Sequence, residues 1–129
     1  LFPRRPRNTH KGDYGHAVII GGGGAFTGAV TLAARAAHRS GVGLVSAIVP
    51  RSLRAIVATA SPETMVAAAP EDAHGALVDA ALDTVRDFFS LGRAYVVGPG
   101  LTRAPATRRL VEAVVREATG PLVIDADAL

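Results

Sequence analysis

Apolar residues recur along this chain in two alternating rhythms. AVII (17–20), LVSAIV (44–49), TMVAAA (64–69), AYVV (94–97) and LVI (122–124) are short, continuous runs bounded by glycine, proline or charge. Such runs are the mark of buried strands. The stretches between them carry apolar positions at helical spacing. Thr27 stands where it can cap a helix whose apolar face would be Val30, Leu32, Ala33, Ala36 and Ala37, stopped at Ser40 and Gly41. Residues 51–60 read as a short helix. Residues 74–90 read as a longer one, with Leu77, Ala80, Ala81, Leu82, Val85 and Phe88 on one side, and residues 105–118 as another. Strands alternating with helices predict an α/β fold: a mostly parallel sheet with helices on both faces, in three αβα layers. Residues 1–16, with two prolines and most of the local charge, read as an extended arm entering a domain at 17–129.

Within this pattern, HKGDYGHAVIIGGGGAFTGA (10–29) is the densest in chemical content, because four glycines follow a buried strand and lead into a helix. A phosphate-cradling P-loop requires G-x-x-x-x-G-K-[ST]. Gly23 and Gly28 have that glycine spacing, but Ala29 and Val30 replace the lysine and hydroxyl. A dinucleotide fingerprint requires G-x-G-x-x-G and an acidic residue about 20 positions on. Phe26 and the carboxylate-free end of LVSAIVP exclude it. One turn does not need four glycines, so backbone approaching a ligand closely explains the run better, with Gly22 and Gly23 at its centre. Three strand ends share one edge of a parallel sheet: Gly21–Gly24, Gly98-Pro99-Gly100, and Asp125-Ala126-Asp127. Ligands of open α/β sheets bind outside that edge. Asp125, directly after an apolar strand, would meet a cation, a hydroxyl or a helix N-terminus there. Asp127 reads equally as a helix cap or as part of the site.

Composition narrows the picture. The chain has 129 residues, 49% hydrophobic and only 5% aromatic, enough for one domain with a core of Val, Ile, Leu and Ala. Without cysteine there is neither a disulfide framework nor a thiolate metal site. No apolar run approaches the roughly 18 residues of a membrane span, and LFPRRPRNTH is unlike a signal peptide, so a soluble, cytoplasmic protein is expected. The formal charge of +3 invites a nucleic-acid reading, but the arginines are scattered and no aromatics interleave with them. Arg4, Arg5 and Arg7 read as a solvated lead-in. His10 and His16 lack partners at metal-ligand spacing, and no metal site is expected from them.

HKGDYG, the strand and glycine run ending in TGA, RSGVGLV, PETM, VVGPGL and PLVIDADAL stand in the order and spacing of the ADP- or ATP-dependent NAD(P)H-hydrate dehydratases. The chain resembles that family over residues 10–129. The resemblance implies a ribokinase-like fold and nucleotide repair: the ring hydroxyl of hydrated NADH or NADPH is phosphorylated by ADP or ATP, with Mg2+, and loss of phosphate restores the nicotinamide. It also implies a homo-oligomer, a tetramer, with small-molecule nucleotides as partners and neither nucleic acid nor membrane. In the family the domain continues into an H-x-G-E segment, a lysine-glycine segment that meets the adenine nucleotide, and G-G-S-G-D, whose aspartate is the general base. None of these occurs here, so residues 17–129 are expected to be the amino-terminal half of such a domain and inactive alone. LFPRRPRNTHKG resembles the linker that follows an epimerase domain in bifunctional versions.

Carried over position by position, the resemblance places Ala29, beside Gly28 in the TGA block, against the hydrated nicotinamide nucleotide. Its second substrate contact falls at the last glycine of GPGLG, where this chain, after Gly100 and Leu101, has Thr102. A branched side chain there narrows the loop's room, while its hydroxyl or backbone could still reach substrate. Lys11 and Asp13, in the opening block, read as ligand contacts or as a local ion pair. Glu63 and Met65 read as a strand entrance and core filling. A sugar or vitamin kinase of the same fold and a non-catalytic nucleotide-binding half are the competing readings.

Overall fold

The computed structural model describes residues 4–129, so the first three positions of the expected arm lie outside the described residues. Five strands form one parallel sheet: β1 (His16–Ile20), β2 (Leu44–Pro50), β3 (Met65–Ala69), β4 (Ala94–Val97) and β5 (Leu122–Ile124), in the spatial order β3-β2-β1-β4-β5. The helices are α1 (Thr27–Arg39), α2 (Arg54–Ala60), α3 (Ala81–Phe89) and α4 (Pro105–Glu117).

Alternation along the strands sorts the apolar side chains into two cores. Val18 and Ile20 of β1 face a layer completed by Leu77, Val85 of α3, Leu110 and Val114 of α4, and Tyr95 and Val97 of β4. Ile19, with Val45, Ala47 and Val49 of β2, faces the other layer, where Val30 and Ala34 of α1 and Val57 of α2 pack. The expected three layers are therefore present. Their arrangement follows from the winding: the chain runs outward from β1 through β2 to β3, then returns to start again beside β1. Right-handed crossovers in opposite directions put helices on opposite faces.

Local departures from the sequence pattern have identifiable causes. Thr27 is the first residue of α1 rather than its cap; Phe26 holds that position and caps nothing through its side chain, while the Thr27 carbonyl accepts from the Thr31 hydroxyl. On α1 the buried positions are Val30, Thr31 and Ala34, whereas Leu32 is 68% exposed. The predicted helix over 74–90 begins only at Ala81. The Asp72 carboxylate binds the amides of His74 and Ala76, closing a turn, and Glu71 bridges to Leu77. Leu77 is fully buried from this loop rather than from a helix. Met65, read as core filling, is 46% exposed at the edge strand's entrance.

The lead-in is not extended throughout. Lys11–Tyr14 form a 3-10 turn capped reciprocally by His10 and Asp13: the Gly12 amide donates to His10 Nδ1 at 3.1 Å and the His10 amide to the Asp13 carboxylate at 3.0 Å. Arg5 lies over the Tyr14 ring at 3.9 Å and donates to the Gly41 carbonyl. His16 is buried within β1, its Nε2 2.8 Å from Ser46 Oγ and its ring edge-on to Phe88. Burial holds its pKa below the usual histidine value.

Candidate functional site

The strand order reverses between β1 and β4, and the turns after these strands meet there. Open parallel sheets bind ligands at such a switch point, because the outgoing loops diverge and leave a crevice. Here the crevice is walled by main chain. Gly98 N–H donates to the Ile20 carbonyl at 3.1 Å, Gly21 N–H to Ile48 at 3.1 Å, and Gly22 N–H to Pro99 at 2.9 Å. These bonds lock the carboxyl ends of β1, β2 and β4 to one another.

The glycines differ in what they do. Gly22 is buried with φ +86°, a left-handed backbone that side-chain-bearing residues rarely adopt. At Gly23 a β-carbon would stand 2.9 Å from Thr102 Cγ2 and 3.0 Å from the Gly100 carbonyl oxygen, so the absence of a side chain lets the two turns touch. Gly24 lies against the backbone of His74, which brings the loop after β3 to the same wall. Gly28, in the first turn of α1, faces open space, and a β-carbon there would meet nothing within 4 Å. Ala29 is exposed beside it, and Gly100 packs against Phe26 and the Ala29 methyl.

This wall presents hydrogen-bond donors. The turn is closed by the Phe26 amide, which donates to the Gly23 carbonyl at 2.7 Å. Among the described residues the amides of Gly23, Gly24 and Ala25 donate to no protein group, and α1 starts without a side-chain cap or an acidic residue in its first turn. Unpaired amides and the positive end of a helix dipole favour an anion. The chemistry on offer is therefore binding of an anionic or polar ligand by peptide groups.

Asp125 follows β5 on this edge; its amide donates to the Val97 carbonyl at 3.0 Å, while its carboxylate is exposed and caps nothing. Asp127 is instead engaged, accepting from Arg103 Nε at 2.8 Å. Among the described residues no three carboxylate, histidine or cysteine side chains converge to hold a metal. Lys11 is not brought to this edge. It lies before β1, where its carbonyl closes on Gly43 ahead of β2, at the opposite end of the strands.

Two contributors escaped the sequence pattern. The turn 71–76, whose last three residues fall within the helix expected over 74–90, adds His74 to the rim. Thr107 is buried in α4, and its hydroxyl donates to the Leu77 carbonyl at 2.6 Å. Thr102 also lines a separate cavity of about 540 Å3, with Arg103, Arg108, Glu112, Asp127 and Leu129, that none of the wall glycines borders. Only the residue type could have pointed to Thr107, since a hydroxyl one turn into an apolar helix face needs a partner.

Known proteins resemble this chain in sequence and in fold. The chain is 44% identical over 128 residues to a bifunctional NAD(P)H-hydrate repair enzyme of Moorella thermoacetica and 40% identical over 129 residues to that of Salinibacter ruber; each alignment covers 99% of this chain and 24% of the relative. The chain thus spans about a quarter of the curated relatives it matches. Among solved structures, an ADP/ATP-dependent NAD(P)H-hydrate dehydratase from Bacillus subtilis, co-crystallised with ATP/Mg2+, superposes with a TM-score of 0.74 at 26% identity over 99% of this chain and 43% of its own. A ribokinase-like superfamily protein from Enterococcus faecalis superposes with a TM-score of 0.81 over 97% of this chain and 41% of its own; at 23% identity it speaks for the fold alone. A family model described as NAD(P)H-hydrate dehydratase matches residues 17–129, and with that match this ribokinase-like chain belongs to the NAD(P)H-hydrate dehydratase family.

Proposed function

We propose that residues 17–129 form the amino-terminal part of a domain that dehydrates the hydrated form of NADH or NADPH, using ADP or ATP as phosphoryl donor. The observation that carries this reading is the interlocked glycine wall at the β1–β4 switch point, with unpaired amides and an uncapped α1, in a chain of this family. Phosphoryl transfer is largely a matter of positioning and charge stabilisation, which fixed N–H groups supply without reorganising. The ring hydroxyl of the hydrate attacks the donor's terminal phosphorus, and nucleotide leaves. The carbon–oxygen bond then breaks, phosphate departs, and loss of a neighbouring ring proton restores the double bond. Ala29, Gly28, Gly100 and Thr102 would face the hydrated nucleotide, Gly22 and Gly23 would shape the wall, and Asp125 would meet Mg2+ or a substrate hydroxyl. Mg2+, when bound, would neutralise phosphate charge.

The solved relatives are more than twice this chain's length, since it covers 41–43% of each of the two described above. On that basis the general base and the nucleotide loop are assigned to sequence outside residues 1–129. The relatives named bifunctional also support a fused partner domain, and the reading includes a homo-oligomer in the cytoplasm. Among the described residues no helix is long and apolar enough to cross a membrane.

The test supplies hydrated NADH, Mg2+ and either ADP or ATP to the complete protein that contains these residues. Return of the reduced nicotinamide absorbance, dependent on the phosphoryl donor, is expected. Accumulation of a stable phosphorylated product would establish a kinase instead, and no reaction with either donor would overturn the assignment.

A further inference from the structure

We propose that Glu71 is a positioning residue for the glycine wall: it pins the turn that follows β3, and that turn holds Gly24 in place. The inference rests on the reading of the switch-point crevice as the site for a hydrated nicotinamide nucleotide. It starts from what the wall lacks. The amides of Gly23, Gly24 and Ala25 donate to no protein group among the described residues, so packing rather than partners of their own sets their direction. That packing comes from the turn 71–77. A β-carbon on Gly24 would collide with the His74 carbonyl oxygen, and one on Gly75, where φ is +74°, would stand 3.0 Å from Gly24 Cα. The tip of the turn lies directly on the wall.

Within the turn, the Asp72 carboxylate accepts from the amides of His74 and Ala76 at 2.8 and 2.9 Å, and the Asp72 amide donates to the Ala76 carbonyl at 2.9 Å. A turn closed on itself in this way moves as one piece. At its far root Leu77 is buried in the core. At its near root the half-buried Glu71 has both carboxylate oxygens engaged by a single residue: Oε1 accepts from the Ser52 amide at 3.1 Å and Oε2 from the Ser52 hydroxyl at 2.6 Å. Ser52 is itself held in the short turn Arg51–Leu53 after β2, next to Leu53, whose buried side chain lies beside Gly22. The loops after β1, β2 and β3 thus close a ring, and the Glu71–Ser52 pair links two of them. The apparent affinity of a ligand scales with the fraction of molecules in which its site is formed. Glu71 acts on that fraction, through Gly24, without touching the ligand.

The experiment uses the complete protein without phosphoryl donor, so that nothing turns over, and reads two quantities. One is the calorimetric dissociation constant of hydrated NADH; the other is hydrogen exchange, with no ligand present, at the Gly22 and Phe26 amides, which are bonded within the wall. Glu71→Ala removes both acceptors and is expected to weaken hydrated NADH about three- to tenfold and to speed the exchange by a similar factor. Glu71→Gln, which can accept from the Ser52 amide and donate to its hydroxyl, should recover most of both. Ser52→Ala loses only the hydroxyl and should fall between, and adding Glu71→Ala to it should cost no more than Glu71→Ala alone. Equal binding of hydrated NADH by wild type and Glu71→Ala would overturn the proposal, as would a Glu71→Gln no better than Glu71→Ala. Weaker binding with unchanged exchange would overturn it too, since Glu71 would then act other than through the wall. Should Glu71→Ala not fold, Ser52→Ala decides by the same two readings. Wild-type protein that does not bind hydrated NADH at all would overturn the reading of the crevice itself, and this proposal with it.

Discussion

Neighbouring glycines of the run answer to different physics, and single substitutions separate them. Gly22→Ala forces a β-carbon onto a φ of +86° and to within 3.2 Å of Leu53, so a loss of about 1–3 kcal/mol in stability is expected by thermal or denaturant unfolding. Gly28→Ala meets nothing within 4 Å in a helical first turn and should be neutral or stabilising by about 0.4–1 kcal/mol. If Gly28 lines the ligand crevice, the same substitution weakens hydrated-nucleotide affinity while the melting temperature holds. Ala29→Leu should do so more strongly, because the helix surface there is exposed and the added bulk enters the crevice. An unchanged affinity in Ala29→Leu would remove that residue from the site. At Asp125 the exposed, uncapping carboxylate argues against a structural role. Asp125→Ala should therefore lower turnover with little change in melting temperature; the reverse pattern would make it a stability determinant. The glycine run stood out in the sequence, but not the division of labour within it. Dihedral sign and close approach depend on Pro99, Thr102 and His74, residues distant in the chain.

At the scale of elements, β1 carries a buried histidine whose protonation opposes folding. Its folded pKa is lowered by burial, so between that value and the ordinary 6.5 the unfolded chain binds a proton that the folded chain does not. The contribution is present above pH 6.5 and is lost as pH falls through the folded value. Denaturant midpoints measured from pH 8 down to 5 should fall, and the fall should shrink in His16→Gln; an identical slope in both proteins would exclude His16 as its source. All five strands were legible because their apolar runs, broken only at Ser46 of β2, are bounded by breakers. The helix over 74–90 was overextended for a specific reason. Leu77 falls in phase with Ala81 and Val85, so periodicity alone joins a buried loop residue to the helix behind it. What ends the helix is the Asp72 carboxylate folding the preceding backbone into a turn.

At the scale of the whole molecule the sheet is unevenly covered. β5 is an edge strand, and Val123 (57% exposed) and Ile124 (37%) stand on it beside the half-buried Val96 of β4. An apolar edge with unpaired backbone invites pairing. The 129-residue chain should therefore associate in light-scattering chromatography, and Val123→Lys should reduce that association; a strictly monomeric wild-type chain would sink the argument. The turn Lys11–Tyr14 sits at the other end of the strands, so substitution of Lys11 should leave ligand affinity unaltered. The switch-point wall itself is made of peptide groups joined to peptide groups, Gly22 to Pro99 and Gly98 to Ile20. Amides do not titrate between acid and alkali. Such a surface keeps its shape and polarity across the whole working range, so the limbs of a pH–rate curve report side chains and never the cradle.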